Sequence, residues 1–155
     1  MVAVCGGKNS GKTTLLLRLI PELIKMGLKV AVIKHDGHDF EPDVPRTDSF
    51  MLRQAGAYGA AVYSSKRFLV TRTVSEITPS ELAWFFPEAS VILLEGGKNT
   101  LFPKIEVLRQ GYCQGPVGRE PYLALCTDGP WLISGVPVVA LDDYPRLANI
   151  IVSIL

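Results

Sequence analysis

Gly6-Gly7-Lys8-Asn9-Ser10-Gly11-Lys12-Thr13-Thr14 is the stretch on which the fold turns, because Gly6, Gly11, Lys12 and Thr13 complete the spacing G-x-x-x-x-G-K-[ST]. Immediately before it stands the apolar run Val2-Ala3-Val4-Cys5. Immediately after it Leu15, Leu16, Leu19, Ile20, Leu23 and Ile24 recur at helical spacing. A strand, a glycine-rich turn and a helix in that order are the context in which this pattern cradles phosphate. Glycine lets the backbone curl until successive N–H groups, roughly those of residues 8–13, face phosphate oxygens at the positive end of the new helix. In such a loop Lys12 reaches the β- and γ-phosphates and the Thr13 hydroxyl ligates Mg²⁺. Lys8 lies over the γ-phosphate, and Thr14 makes a lesser phosphate contact. The nine residues from Gly6 to Thr14 are therefore predicted to hold a nucleoside triphosphate.

The rest of the chain sets limits on that reading. At 155 residues and 48% hydrophobic content, residues 1–155 are expected to form a single nucleotide-binding domain with a real core. The formal net charge of +1, with Lys and Arg spread along the chain, leaves no electrostatic footprint for nucleic acid. Cys5, Cys113 and Cys126 form an odd set without C-x-x-C spacing and read as reduced thiols, with Cys5 and Cys126 in the core. The chain shows no signal-peptide pattern and no apolar stretch long enough for a bilayer, so a cytoplasmic protein without membrane contact is expected.

Strands are predicted at residues 29–35, 60–63, 68–70, 90–95, 104–108, 122–126 and 136–141. Helices are predicted after the glycine loop, from Thr47 or Asp48 to near Gly56, from a capping signal at Thr78-Pro79-Ser80-Glu81, and over residues 145–154. Gly27 is a natural stop for the first helix. Pro21 inside that helix is expected to kink or break it near Leu17, at about 3 kcal/mol if unrelieved. Residues 36–46 and 109–121 read as loops. Strands alternating with helices predict an α/β P-loop fold, a mainly parallel sheet with helices on both faces, whose ligand sits at the carboxyl ends of the strands.

That rule assigns the remaining polar positions. Glu95 ends the apolar run Val91-Ile92-Leu93-Leu94, where an acid projects toward Mg²⁺ or orients water; the alternative is an acid that merely caps the strand. His35, Asp36, His38 and Asp39 follow the second strand, and Asp36 is the preferred second acid near the metal. Nucleotide contact, solvated loop residues and a weak transition-metal motif remain alternatives for this segment. Asp128 ends another strand, where a carboxylate could accept from guanine N1–H and N2–H₂, or simply belong to a Thr-Asp-Gly-Pro turn.

Several segments taken together carry a resemblance. The loop from Gly6 to Thr14, Val32-Ile33-Lys34-His35-Asp36 with His38, Thr47-Asp48-Ser49 through Gln54-Ala55-Gly56-Ala57, Glu95-Gly96 and Pro103-Lys104-Ile105-Glu106-Val107 resemble the molybdopterin-guanine dinucleotide biosynthesis protein B family, MobB. The likeness spans nearly the whole chain. It implies a P-loop GTP-binding fold, a homodimer, Mg²⁺, weak GTP hydrolysis, and an accessory role beside the guanylyltransferase that joins GMP to molybdopterin. Carried over by position, Lys12 and Thr13 serve phosphate and metal, Asp36 and Glu95 serve metal and water, and Asp128 serves the base. Gly97 departs from the aromatic residue expected after Glu-Gly, residues 99–103 are short, and Pro21 is unexpected. A small-molecule kinase of the same fold and a non-catalytic nucleotide-binding adaptor are the competing readings. Residues 66–74 and 109–121 are the candidate dimer surfaces.

Overall fold

The computed structural model describes residues 1–38 and 40–155, so the expectation for Asp39 lies outside the described residues. Contacts divide the chain into two compact units. One comprises Met1–His35 with Pro79–Leu155, and the other Asp36–Thr78.

The first unit is built on a six-stranded sheet of β1 (Val2–Cys5), β2 (Val30–Lys34), β5 (Val91–Glu95), β6 (Lys104–Leu108), β7 (Tyr122–Thr127) and β8 (Val138–Val139). Their order is β2-β5-β1-β6-β7-β8, and every pairing is parallel. Central strands with two covered faces need apolar residues at successive positions, which explains why β1 and β5 read as continuous hydrophobic runs. On one face Val2, Val4, Leu93 and Val107 pack under Leu15, Leu16, Leu19 and Leu23 of α1 (Lys12–Lys25) and under Leu147, Ala148 and Ile151 of α4 (Tyr144–Val152). On the other, Ala3, Ile33 and Leu94 pack with Leu82 of the short α3 (Pro79–Ala83). Helices therefore cover both faces of a parallel sheet, as the element pattern predicts.

Two local expectations are corrected. Helix α1 passes through Pro21 without interruption. The carbonyl freed by proline is that of Leu17, whose side chain is 68% exposed, so this backbone lies on the solvent side, where hydration can offset the missing N–H. The helix ends instead where Gly27, at φ 84°, donates its N–H to the Ile24 carbonyl (2.9 Å) and Leu28 donates to Leu23 (3.2 Å). The last strand is shorter than residues 136–141, because Pro137 has no N–H to give and the Asp143 N–H already turns back to the Ala140 carbonyl (3.2 Å). Asp143 then caps α4, its side chain accepting from the Arg146 N–H at 3.2 Å.

The second unit holds α2 (Asp48–Gln54) and an antiparallel pair, β3 (Gly59–Tyr63) and β4 (Phe68–Arg72), joined at a turn where the Ser64 N–H donates to the Arg67 carbonyl (2.7 Å). Thr47 caps α2, accepting from the Phe50 N–H at 3.4 Å. Arg53 pairs with Glu41 and stands 3.9 Å from Asp43. Among the described residues of this unit Thr71 alone is buried.

Candidate functional site

The loop between β1 and α1 is shaped by two glycines. Gly6 sits at φ 143°, and a Cβ there would stand 2.4 Å from the Val107 carbonyl oxygen and 2.7 Å from Ser10 Oγ, so no other residue fits without moving β6. Gly11, at φ 98°, opens α1 with no side-chain cap, and a Cβ there would meet nothing within 4 Å. The N–H groups of the first helical turn are left for an anion from outside the loop. The Lys12 ammonium donates to the carbonyls of Gly7 (2.7 Å) and Gly6 (3.2 Å), holding a cation over the same concavity. Ser10 Oγ is buried with no hydrogen-bond partner among the described residues.

Strand pairing brings a carboxylate to the mouth of this loop. β5 lies beside β1 with Glu95 opposite Val4, and this brings together two residues 82 positions apart: the Thr13 hydroxyl donates to Glu95 Oε1 at 2.5 Å. The strand end is braced by the His35 N–H on the Glu95 carbonyl and the Gly96 N–H on Val4, both 2.9 Å. A hydroxyl and a carboxylate side by side are hard oxygen donors, which suits Mg²⁺. Among the described residues no cluster of three or more His, Cys, Asp or Glu side chains assembles.

Two cavities open at the carboxyl ends of the strands. One, of about 490 Å³, is lined by Asn9, Lys12, Thr13, Glu95 and Tyr112, with Gly11, Thr14 and Arg109. The other, of about 410 Å³, has Leu15, Val107, Ala140 and Leu141 on its walls and Thr127, Asp128, Asp142 and Tyr144 among its polar groups, again with Gly11, Thr14 and Arg109, and with Ser10. The first is lined by hydroxyls, a carboxylate and two cations, and the second sets apolar walls beside carboxylates and hydroxyls. They share Gly11, Thr14 and Arg109, so one elongated ligand could span both.

Most of the predicted residues meet at these cavities. Asn9, Ser10, Gly11, Lys12, Thr13, Thr14, Glu95 and Asp128 line one or both, whereas Gly6, Gly7, Lys8 and His35 line neither, and Lys8 and His35 are exposed. Both linings come from the first unit. Asp36 and His38 belong to the second, where an Asp36 carboxylate oxygen accepts from the His38 N–H at 3.3 Å. Asp128 has a second task, since its Oδ1 accepts from the Gln110 N–H at 2.7 Å. Arg109, Tyr112, Asp142 and Tyr144 escape the sequence reading. Arg109 directly follows β6, so the strand-end rule that finds Glu95 and Asp128 could have found it too.

Behind the loop lies a buried polar group. The fully buried Glu106 accepts from the N–H groups of Val117 (2.6 Å) and Gly118 (3.2 and 3.1 Å), and the Tyr122 hydroxyl donates to the Gly118 carbonyl (2.5 Å). The equally buried Lys104 donates to the carbonyls of Thr100 (3.0 Å) and Phe102 (3.1 Å). Burial pushes the Cys5 thiol up to about 12, helped by the charge of Glu106, and pushes Cys126 up to about 12 as well. Burial also lowers the Lys104 ammonium below its ordinary value and raises the Tyr122 phenol. Cys5, which leads into Gly6, is thus a neutral packing residue and no nucleophile.

The sequence pattern of MobB, molybdopterin guanine dinucleotide synthesis protein B, matches residues 1–128. The molybdopterin-guanine dinucleotide biosynthesis adapter protein of Escherichia coli K12 is 34% identical over 163 residues, covering 98% of this chain and 91% of the relative. Its counterpart in Haemophilus influenzae is 32% identical over 155 residues, covering 97% and 86%. Among solved structures, Bacillus subtilis MobB superposes with a TM-score of 0.77 at 26% identity, covering 99% of this chain and 96% of that one. With a P-loop joined to β5 through Thr13 and Glu95, and with likeness along nearly its full length, this chain belongs to the MobB family.

Proposed function

We propose that the chain is a GTP-binding accessory protein of molybdenum cofactor maturation. In this reading it acts as an adapter in molybdopterin-guanine dinucleotide biosynthesis beside the guanylyltransferase, hydrolyses GTP slowly, and engages molybdopterin or the nucleotide to be joined to it. The observation that carries the proposal is the Thr13–Glu95 contact at the mouth of the glycine loop, because it assembles loop, metal-ligand chemistry and cavity in one place.

The chemistry follows from the residues present. A triphosphate entering the polar cavity competes with the Gly6 and Gly7 carbonyls for the Lys12 ammonium, exchanging neutral acceptors for an anionic one. The uncapped N–H groups at the start of α1 add fixed dipoles. Thr13 and Glu95 would hold Mg²⁺, which supplies neutralising charge to the β- and γ-oxygens. Among the described residues no histidine lines either cavity, and the carboxylate nearest the phosphate end already accepts from Thr13. Hydrolysis therefore depends on positioning and is slow. At the nucleoside end, the single bond from the Gln110 N–H to Asp128 Oδ1 leaves acceptor sites on both carboxylate oxygens for guanine N1–H and N2–H₂, donors that adenine lacks.

The homodimer is part of this proposal. Val62, Tyr63, Phe68, Leu69 and Val70 are all exposed on a two-stranded ribbon, and a second copy of the ribbon is a partner of matching apolar character.

Calorimetric titration with GTP, ATP and Mg²⁺, together with phosphate release in the absence of any acceptor, tests the reading. The expected result is GTP binding in preference to ATP with slow release, and Lys12→Ala weakens GTP binding tenfold or more, on the order of the 1.5–3 kcal/mol of a charge-assisted hydrogen bond. An absence of nucleotide binding would remove the proposal, and fast phosphorylation of an added acceptor would replace it with a kinase.

A further inference from the structure

Arg109 is the one charged residue common to the two cavities. It stands just beyond β6, is exposed, and makes no ion pair among the described residues. Its backbone is held unusually well for a surface loop. The Arg109 carbonyl accepts from the N–H groups of Tyr112 (3.1 Å) and Cys113 (3.0 Å), and the Arg109 N–H donates to Cys113 Sγ at 3.4 Å. The turn is tied at one further point, where the Gln110 N–H donates to Asp128 Oδ1 (2.7 Å). A long flexible cation is thus mounted on a fixed base at the junction of a polyphosphate pocket and a nucleoside pocket.

We propose that Arg109 is a further nucleotide-binding residue, whose guanidinium grips the α-phosphate and sugar end of a bound nucleotide while Lys12 serves the β- and γ-phosphates. The inference rests on the nucleotide-binding reading above and adds a division of labour to it. Guanidinium presents several N–H donors in a planar fork, which matches two phosphate oxygens at once. A second cation also balances the polyphosphate charge that Lys12 alone leaves unmet, in a pocket that already carries the Glu95 carboxylate. Asp128 has a positioning role in the same device, because its bond to Gln110 fixes the turn on which Arg109 stands.

Two sets of variants test this by calorimetric titration with GTP, GDP and GMP. Arg109→Ala should weaken all three by a similar factor, about tenfold to a hundredfold for a lost charge-assisted contact. Arg109→Lys should recover part of the loss, as a point charge without the fork. Lys12→Ala should weaken GTP and GDP while leaving GMP much less affected. For the mount, Asp128→Ala removes the acceptor for the Gln110 N–H and should lower ATP affinity along with GTP, whereas loss of base reading alone would lower GTP affinity only. Wild-type affinity of Arg109→Ala for all three nucleotides would overturn the assignment, as would a loss confined to GTP. Failure of the unmutated protein to bind any nucleotide would instead overturn the nucleotide reading itself.

Discussion

β5 reads V-I-L-L-E and β4 reads F-L-V-T-R, two apolar runs of equal length that meet opposite fates. In β5 four of the five residues are buried; in β4 only Thr71 is. The first unit sandwiches its strand between β1 and β2 and covers both faces, whereas β4 has a single neighbour, β3, in a two-stranded sheet. Hydrophobic sequence is thus a demand for cover and does not show where cover comes from. Two strands and a short helix with no buried residue supply little of it.

The comparison can be broken most forcefully in the sheet unit. Leu93 is fully buried in β5, and Leu93→Ala should cost about 2–5 kcal/mol in denaturant unfolding, whereas Val62→Ala on the ribbon should cost less than about 1 kcal/mol in the separated protomer. Equal costs at the two positions would dissolve the distinction. The second test asks what covers the ribbon. Val62→Asp combined with Leu69→Asp should halve the mass measured by light scattering and leave the unfolding midpoint of the protomer nearly unchanged. A mass unaffected by both charges would place self-association elsewhere.

A smaller effect separates the units by pH. Cys5 and Cys126, both in the sheet unit, are held near 12 against an ordinary value of 9.0, so below pH 9 the thiols are protonated whether the chain is folded or not. Above pH 9 the unfolded chain releases protons that the folded one keeps, and stability falls progressively toward pH 12. Tyr122, also raised, adds to the loss at the upper end. Lys104, lowered by burial, acts in the opposite sense, its contribution rising with pH up to about 10.5 and ending there. Denaturant midpoints measured from about pH 8 to 11 should decline, and the decline should be shallower in Cys126→Ala. A flat profile would mean that the thiols titrate freely in the folded state. The ribbon unit contains no cysteine, so dissociation of the proposed dimer should not share this slope.

Much of the first unit is legible in the sequence, because its signals are local. The glycine loop, the leucines of α1 and the stop at Gly27 depend on neighbours within one or two turns, and each lies where its pattern points; the Thr47 cap of the second unit is legible for the same reason. Pro21 misleads because its cost depends on which side of the helix is wet. The short β8 misleads because an apolar run pairs only where its N–H groups are free. Arg109 directly follows β6, where the strand-end rule points, but the run of glycines and prolines over residues 109–121 announces a loop and only the fold shows that its first residue stands between two cavities.

Linear pattern is enough to specify a glycine-rich strand-to-helix loop, parallel strands, covering helices and an acid at the end of a buried strand, since those follow from spacing and from the conformational freedom of glycine. Strand order is not contained in it. The pairing of β5 with β1 carries Glu95 to Thr13 across 82 residues, and the pairing of β7 with β6 carries Asp128 to the turn that bears Arg109. The fate of the apolar ribbon is of the same kind. Such contacts arise from the long-range competition of strands and faces for cover, which periodicity along the chain does not encode.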